Sequence, residues 1–91
     1  MNKNVRLAIM QDVKFGLVDG HRVALHFSAY TEEHGAACHY LEGDEIITVI
    51  KDSKVEDIRE LEMYPCFVES EDGTFGPGGI QRFVRVWKRK T

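Results

Sequence analysis

No apolar run in this 91-residue chain is long. The longest, Ile46-Ile47-Thr48-Val49-Ile50, is broken by a hydroxyl, and a membrane-spanning helix needs roughly 18 or more apolar residues. The first residues, Met1-Asn2-Lys3-Asn4-Val5, lack the apolar stretch of a secretory signal. Cysteine is scarce. Cys38 and Cys66 are too few for a disulfide scaffold, which favours a reducing, cytoplasmic setting. A large charge of one sign is also missing. The net charge is −3 beside five Phe, three Tyr and one Trp, whereas disordered chains combine few aromatics with high net charge. Hydrophobic residues at 43% and charged ones at 30% match globular usage, and so short a chain has interior for one core. The expectation is a single domain over residues 1–91, with no membrane partner.

The small net charge conceals three blocks. Residues 1–31 carry Lys3, Arg6, Lys14 and Arg22 against Asp12 and Asp19, a balance of +2. Residues 32–72 carry 13 acids against Lys51, Lys54 and Arg59, a balance of −10. Residues 73–91 carry Arg82, Arg85, Lys88, Arg89 and Lys90 with no acid, a balance of +5. A basic end of this kind points to an anionic partner. The plainer reading is that the basic strand lies beside the acidic block and neutralises it.

Along the chain, Val5, Leu7, Ile9, Val13, Phe15 and Leu17 share one parity, broken only by Gln11. That period of two predicts a half-buried strand, with a bend near Gln11-Asp12 because the run exceeds the usual strand length. Asp19-Gly20 predicts a hairpin turn with positive φ at both residues. A second strand is expected over Arg22–Tyr30, a turn at 31–35, and a third strand over Ala36–Leu41. Glu42-Gly43-Asp44 reads as a helix start with Asp44 as cap, and Ile46, Ile47 and Ile50 as its apolar face. Ser53 reads as a second cap, ahead of Val55, Ile58 and Leu61 at helical spacing. Cys66–Ser70 is a fourth strand, 71–79 a loop, and Ile80–Lys88 a fifth strand, with Ile80, Val84 and Val86 on one face and Phe83 and Trp87 on the other.

The element order predicts an α+β fold: an antiparallel sheet of about five strands, β-β-β-α-β-β, with one or two short helices packed on one face. The helix is expected to rest on the odd-numbered apolar face of the first two strands. Arg6, Lys14, His26, Ser28, Tyr30, Arg85 and Trp87 are candidates for the opposite, open face. A small closed barrel is the competing architecture.

Chemistry-bearing residues are present without the spacing that chemistry needs. His34, Cys38, His39 and Cys66 could complete a zinc tetrahedron, but no paired C-x₂-C or H-x₃₋₅-H spacing occurs, and neighbours on a strand point to opposite faces. A nucleophilic Cys needs a base beside it, and His39 lies on the wrong side of Cys38 for that. Thr74-Phe75-Gly76-Pro77-Gly78-Gly79 lacks the Lys and Ser/Thr of a phosphate-binding loop. Glycine amides followed by Arg82 could still hold an anion. The acid pairs Glu32-Glu33, Asp44-Glu45, Glu56-Asp57 and Glu71-Asp72 fall where capping and solvation account for them. Arg82, Phe83, Arg85, Trp87, Lys88, Arg89 and Lys90 interleave cations with rings, the chemistry of single-strand platforms, although a pI near 5.8 is low for a dedicated nucleic-acid binder.

Lys54-Val55-Glu56-Asp57-Ile58-Arg59-Glu60-Leu61, then Pro65-Cys66-Phe67-Val68-Glu69, resembles a pattern of small phage and prophage accessory proteins, V-x-D-I-x-x-L-x-G-x-P-C-x-V-E. In those proteins it follows a three-stranded part with a Gly-Ala step, which Val5-Arg6-Leu7-Ala8 and Gly35-Ala36-Ala37 echo. The likeness runs over Asp44–Glu69 and parts of the N-terminal strands. It departs at Met63-Tyr64, where those proteins tend to have Gly-Lys, and in a longer glycine loop. Several phage proteins of this size block host defence. The resemblance implies a phage accessory protein of uncharacterised function and transfers no site residues. That context, with no catalytic set in the sequence, makes the leading reading a non-enzymatic protein of the host cytoplasm that binds a host protein or sequesters an anionic small signalling ligand, as a host-defence antagonist. The alternative is a nucleic-acid-binding module on the C-terminal strand, and a small metal-dependent enzyme ranks last. No cofactor is expected, and a homo-oligomer is compatible with these readings. From the residues themselves, the candidate ligand-binding set is Gly78, Gly79, Arg82, Arg85 and Trp87.

Overall fold

In the computed structural model, which describes residues 4–32, 35–70 and 81–87, five strands form one antiparallel sheet. They are β1 Val5–Val18, β2 Arg22–Thr31, β3 Gly35–Leu41, β4 Pro65–Ser70 and β5 Gln81–Val86, in the spatial order β3-β2-β1-β4-β5. Helix α1, Asp44–Ser53, and a 3₁₀ helix, Ile58–Leu61, lie between β3 and β4. The fold is α+β. Ile80 and Lys88, the expected ends of the last strand, lie outside the described residues.

The β1–β2 turn follows its chemistry. Asp19 and Gly20 take φ of 56° and 77°, the backbone of a primed turn, closed by the His21 amide on the Val18 carbonyl at 3.3 Å.

The expected bend in β1 is a β-bulge, and it corrects the assignment of faces. Gln11 pairs with Ser28 and Lys14 with His26, so β1 spends one residue more than β2 between those points. Asp12 takes the surplus with φ of 53°, a conformation Asp tolerates better than most residues. Side-chain parity reverses across a bulge. Before it, the even residues Ala8 and Met10 enter the core, and Leu7 and Ile9 turn away from it; after it, Val13 packs on the core. Phe15 and Leu17 share that side, beside Leu25 and Val23. The odd-numbered stripe is therefore not one core face but two half-stripes on opposite sides of the sheet. Arg6, opposite Val68, falls on the core side, contrary to expectation.

The helix contacts differ in the same register-dependent way. Val49 and Ser53 are the buried helical residues, with Ile46 and Ile50 packed partly against the core. Ile47 is half exposed, so the inward face is i, i+3, i+4, i+7 rather than the Ile46-Ile47-Ile50 set. Gly43, not Asp44, occupies the N-cap, without a side-chain cap bond. Ser53 is no cap either: it ends α1, its hydroxyl donating to the Ile50 carbonyl at 3.2 Å. The cap of the second helical turn is Asp57, which accepts from the Arg59 amide at 2.8 Å while Glu60 reaches back to the Asp57 amide at 2.9 Å, a reciprocal capping box. Leu61, fully buried, anchors this turn; truncation to Ala would cost about 2–5 kcal/mol. The Tyr64 hydroxyl lies between the carbonyls of Ser53, at 3.2 Å, and Trp87, at 3.0 Å, tying the end of α1 to β5.

The sheet curls around this core without closing. Phe27 on β2 and Phe83 on β5 meet edge to face at 5.5 Å between centroids, although β1 and β4 lie between their strands, a separation of about 14 Å in a flat sheet. The edge strands β3 and β5 come into contact but are not paired, so the architecture is an open, curled sheet and not a closed barrel.

Candidate interaction face

Both helical segments pack on the concave side, where Val49, Val55 and Leu61 join the core. Among the described residues no element covers the other side. The register reads off what that bare face carries. Opposed residues share a face, so Leu7 joins Phe67, Ile9 joins Pro65 and Tyr30, and Lys14 joins His26 and Tyr40. Gln11 lies with Ser28, and Ser28 with Cys38.

A second bulge adds the C-terminal strand. Phe67 pairs with Arg85 but Val68 pairs with Phe83, so Val84 is the surplus residue. Arg82 and Arg85, three apart, thereby reach one face despite unlike parity. Phe83 and Val86 go to the core, which corrects the face assignments made for Phe83 and Val84. Arg82, Arg85 and Trp87 are thus brought together, while Gly78 and Gly79 lie outside the described residues.

Phe67 is the centre of this group. The Arg85 guanidinium lies over its ring at 5.2 Å, within cation–π range, and Trp87 stacks on it at 5.7 Å and 21°. Phe67 is buried beneath them, whereas Trp87 is 46% exposed. Arg82 forms an ion pair with Glu69 at 2.8 Å, the pairing that the neutralisation reading expects. No ion pair joins Arg85 to any described acid. At the far end of the face, His26 stacks on Tyr40 at 5.8 Å, and Arg22 lies 5.7 Å from the Tyr40 centroid while reaching Asp19 and Glu42 at 3.5 Å each. Between the two groups a cavity of about 510 Å³ is lined by Leu7, Ile9, Gln11, Tyr30 and Met63, with one cation, Arg6, and one acid, Glu32, also in its lining.

Charge is divided between the two sides. Of the described strand residues alternating onto the bare face, Lys14, Arg22, Arg82 and Arg85 are cations and Glu69 is the one acid. Asp44, Glu45, Asp52, Glu56, Asp57, Glu60 and Glu62 belong to α1, the 3₁₀ helix and their connections.

The candidate zinc residues separate. Cys38 is exposed on the bare face; His39 and Cys66 face the core, and His34 lies outside the described residues. Burial pushes the Cys66 thiol up to about 12, which keeps it protonated and unreactive. His39 stacks on Phe27 at 5.6 Å, its Nε2 is buried without a hydrogen-bond partner, and burial lowers its pKa. Among the described residues, no group of three His, Cys, Asp or Glu is placed to hold a metal, and no helix is long and apolar enough to cross a membrane. Of the acid pairs, Glu33, Glu71 and Asp72 lie outside the described residues. Asp57 is a cap whose carboxyl the Arg59 side chain holds below its usual range by hydrogen bonding.

Leu7 and Ile9 are face residues that sequence patterning assigned to the core, and Pro65 and Phe67 are face residues that it did not place. The signal for them was the single break at Gln11-Asp12, read as a bend and not as a reversal of faces. No protein-family model, curated protein or solved structure matches this chain.

Proposed function

We propose that this chain is a non-catalytic binding protein whose bare sheet face docks an acidic surface of a partner protein. In the phage setting that the resemblance implies, the partner is a host protein and the outcome is antagonism of a host function. One observation carries the reading: an uncovered face bears Trp87, Phe67, Tyr40, Tyr30, Met63, Arg22 and Arg85, while most of the acids lie on the helical side. Protein interfaces are enriched in aromatic residues, Met and Arg and depleted in Lys, and their hot spots are Trp, Tyr and Arg. Lys14 is the one lysine on this face among the described residues.

The resembled pattern fits a scaffold role. Val55, Asp57, Leu61, Cys66 and Val68 are core or cap residues, and Met63, where that pattern has glycine, sits at φ of 67°. Such residues build the platform under the face.

A photocrosslinker in place of Trp87 tests the proposal against the same label at Glu56 on the acidic side. The expected result is a protein adduct from position 87 that Arg85→Glu abolishes. Adducts from both positions alike, or insensitivity to Arg85→Glu, would remove the basis for the reading.

The alternation of cations with rings supports a second reading, a single-strand nucleic-acid platform. Quenching of Trp87 by short oligonucleotides, falling steeply with salt as counterions are released, would select it instead.

A further inference from the structure

The open edge of β1 offers an interaction surface of a different kind. β4 pairs only with Val5–Ile9, and Met10 bonds to Met63 and Tyr64 on that same side. The Glu62 carboxylate then takes the amides of Asp12 and Val13 at 3.0 Å each. Beyond Glu62, residues Lys14–Val18 have β2 on one side and no described strand on the other.

Which groups face that open side follows from the turn. The Val18 carbonyl accepts from His21 and so points toward β2. By alternation Gly16 and Lys14 do too, and Phe15 and Leu17 present their N–H and C=O outward. Their side chains lie beside Val23 and Leu25, and Phe15, Leu17 and Val23 are 54%, 67% and 53% exposed. The stretch has no Pro, and Lys14 is its one charge, so it lacks most of the features that blunt natural edges.

We propose that this edge pairs with the same edge of a second copy, antiparallel about Gly16, making one continuous sheet across a two-fold axis. The register is self-complementary. Phe15 opposes the partner subunit's Leu17 and Leu17 the partner's Phe15, each pair exchanging two N–H···O=C bonds. Lys14 opposes Val18, so no like charges meet. The six side chains of Phe15, Leu17 and Val23 from the two copies form one apolar patch. Gly16 falls on the axis as a non-hydrogen-bonded pair. Nothing among the described residues accounts for a glycine there: its φ is not positive and an added Cβ would meet none of them within 4 Å, whereas a strand glycine often marks close approach of another backbone. With an edge this short, the dimer belongs to the small, concentration-dependent class.

The experiment uses Gly16→Cys in a Cys38→Ser background. Cα atoms of such a pair lie about 4.5 Å apart, within the range a disulfide spans, and the added side chain has room in the monomer. The expected result is rapid disulfide dimerisation under mild oxidation, much faster than for Lys14→Cys, whose opposite neighbour is Val18. Sedimentation should show the wild type dimerising as its concentration rises, and Phe15→Lys/Leu17→Lys monomeric with an unchanged melting temperature. A wild type that stays monomeric at about 1 mM, near the weakest affinity that counts as association, overturns the proposal. So does Gly16→Cys crosslinking no faster than Lys14→Cys, or a double-lysine variant that dimerises like the wild type.

Discussion

The Glu62 carboxylate holds the backbone amides of both Asp12 and Val13, at 3.0 Å each. One side chain thereby clamps the bulge that reverses the faces of β1. Hydrogen bonds to an ionised group contribute about 1.5–3 kcal/mol, and exposure places this pair toward the lower end. Glu62→Ala should therefore lower stability by about 1–2 kcal/mol in denaturant unfolding and accelerate hydrogen exchange at Asp12 and Val13. Unchanged exchange at those two amides would show that β2 pairing alone maintains the bulge.

Arg82 and Arg85 share a face but differ in what they answer. Arg82 is exposed and paired to Glu69, and exposed pairs contribute about 0–1 kcal/mol. Replacing both arginines by Ala should leave the fold intact by circular dichroism and the melting temperature nearly unchanged, yet remove the adduct formed from position 87. A double variant that keeps full binding would move the search to the acidic side, around Glu56 and Glu60.

Met63 sits in the left-handed region, with φ of 67°, where a side chain costs roughly 1–2 kcal/mol. Glycine removes that cost and adds about 0.5–1 kcal/mol of chain entropy to the unfolded state. Met63→Gly should thus be neutral to about 1 kcal/mol stabilising, whereas Met63→Val should destabilise. Urea midpoints of the two variants give the comparison directly.

His39 sets a pH dependence. Burial lowers its folded pKa below the ordinary value of 6.5, so below that value the unfolded chain takes up the proton first. Stability is then full above about pH 6.5, declines as pH falls toward the folded pKa, and levels off below it. His39→Phe, which keeps a ring against Phe27, should abolish this part of the decline in unfolding measured at stepped pH. A mutant profile parallel to the wild type would assign the decline to other groups.

The two thiols should behave as different species. Cys38 is exposed and Cys66 buried, its thiol pushed up to about 12. A chromogenic disulfide reagent should titrate one thiol in the native protein and two in denaturant, and a chelator should leave the melting temperature unchanged. Two thiols reacting equally fast in the native state would mean that β4 opens readily.

Much of the architecture is readable from residue order because its causes are local. Asp19-Gly20 favours a primed turn, period two makes a strand, and apolar spacing over Ile46–Leu61 makes short helical segments, although their caps are Gly43 and Asp57 in place of Asp44 and Ser53. Lys14, His26, Ser28, Tyr30, Arg85 and Trp87, assigned from sequence to an open face, do lie on one. What residue order could not decide is which side each apolar half-stripe serves. Leu7 and Phe15 have the same parity and chemistry, yet a single surplus residue between Gln11 and Lys14, held by Glu62 some fifty positions away, sends them to opposite sides. Arg82 and Arg85 meet on one face for the same reason, through the surplus Val84. Parity is a local property, but a bulge is chosen by the partner strand and by a distant carboxylate, so the composition of the binding face is a product of tertiary structure.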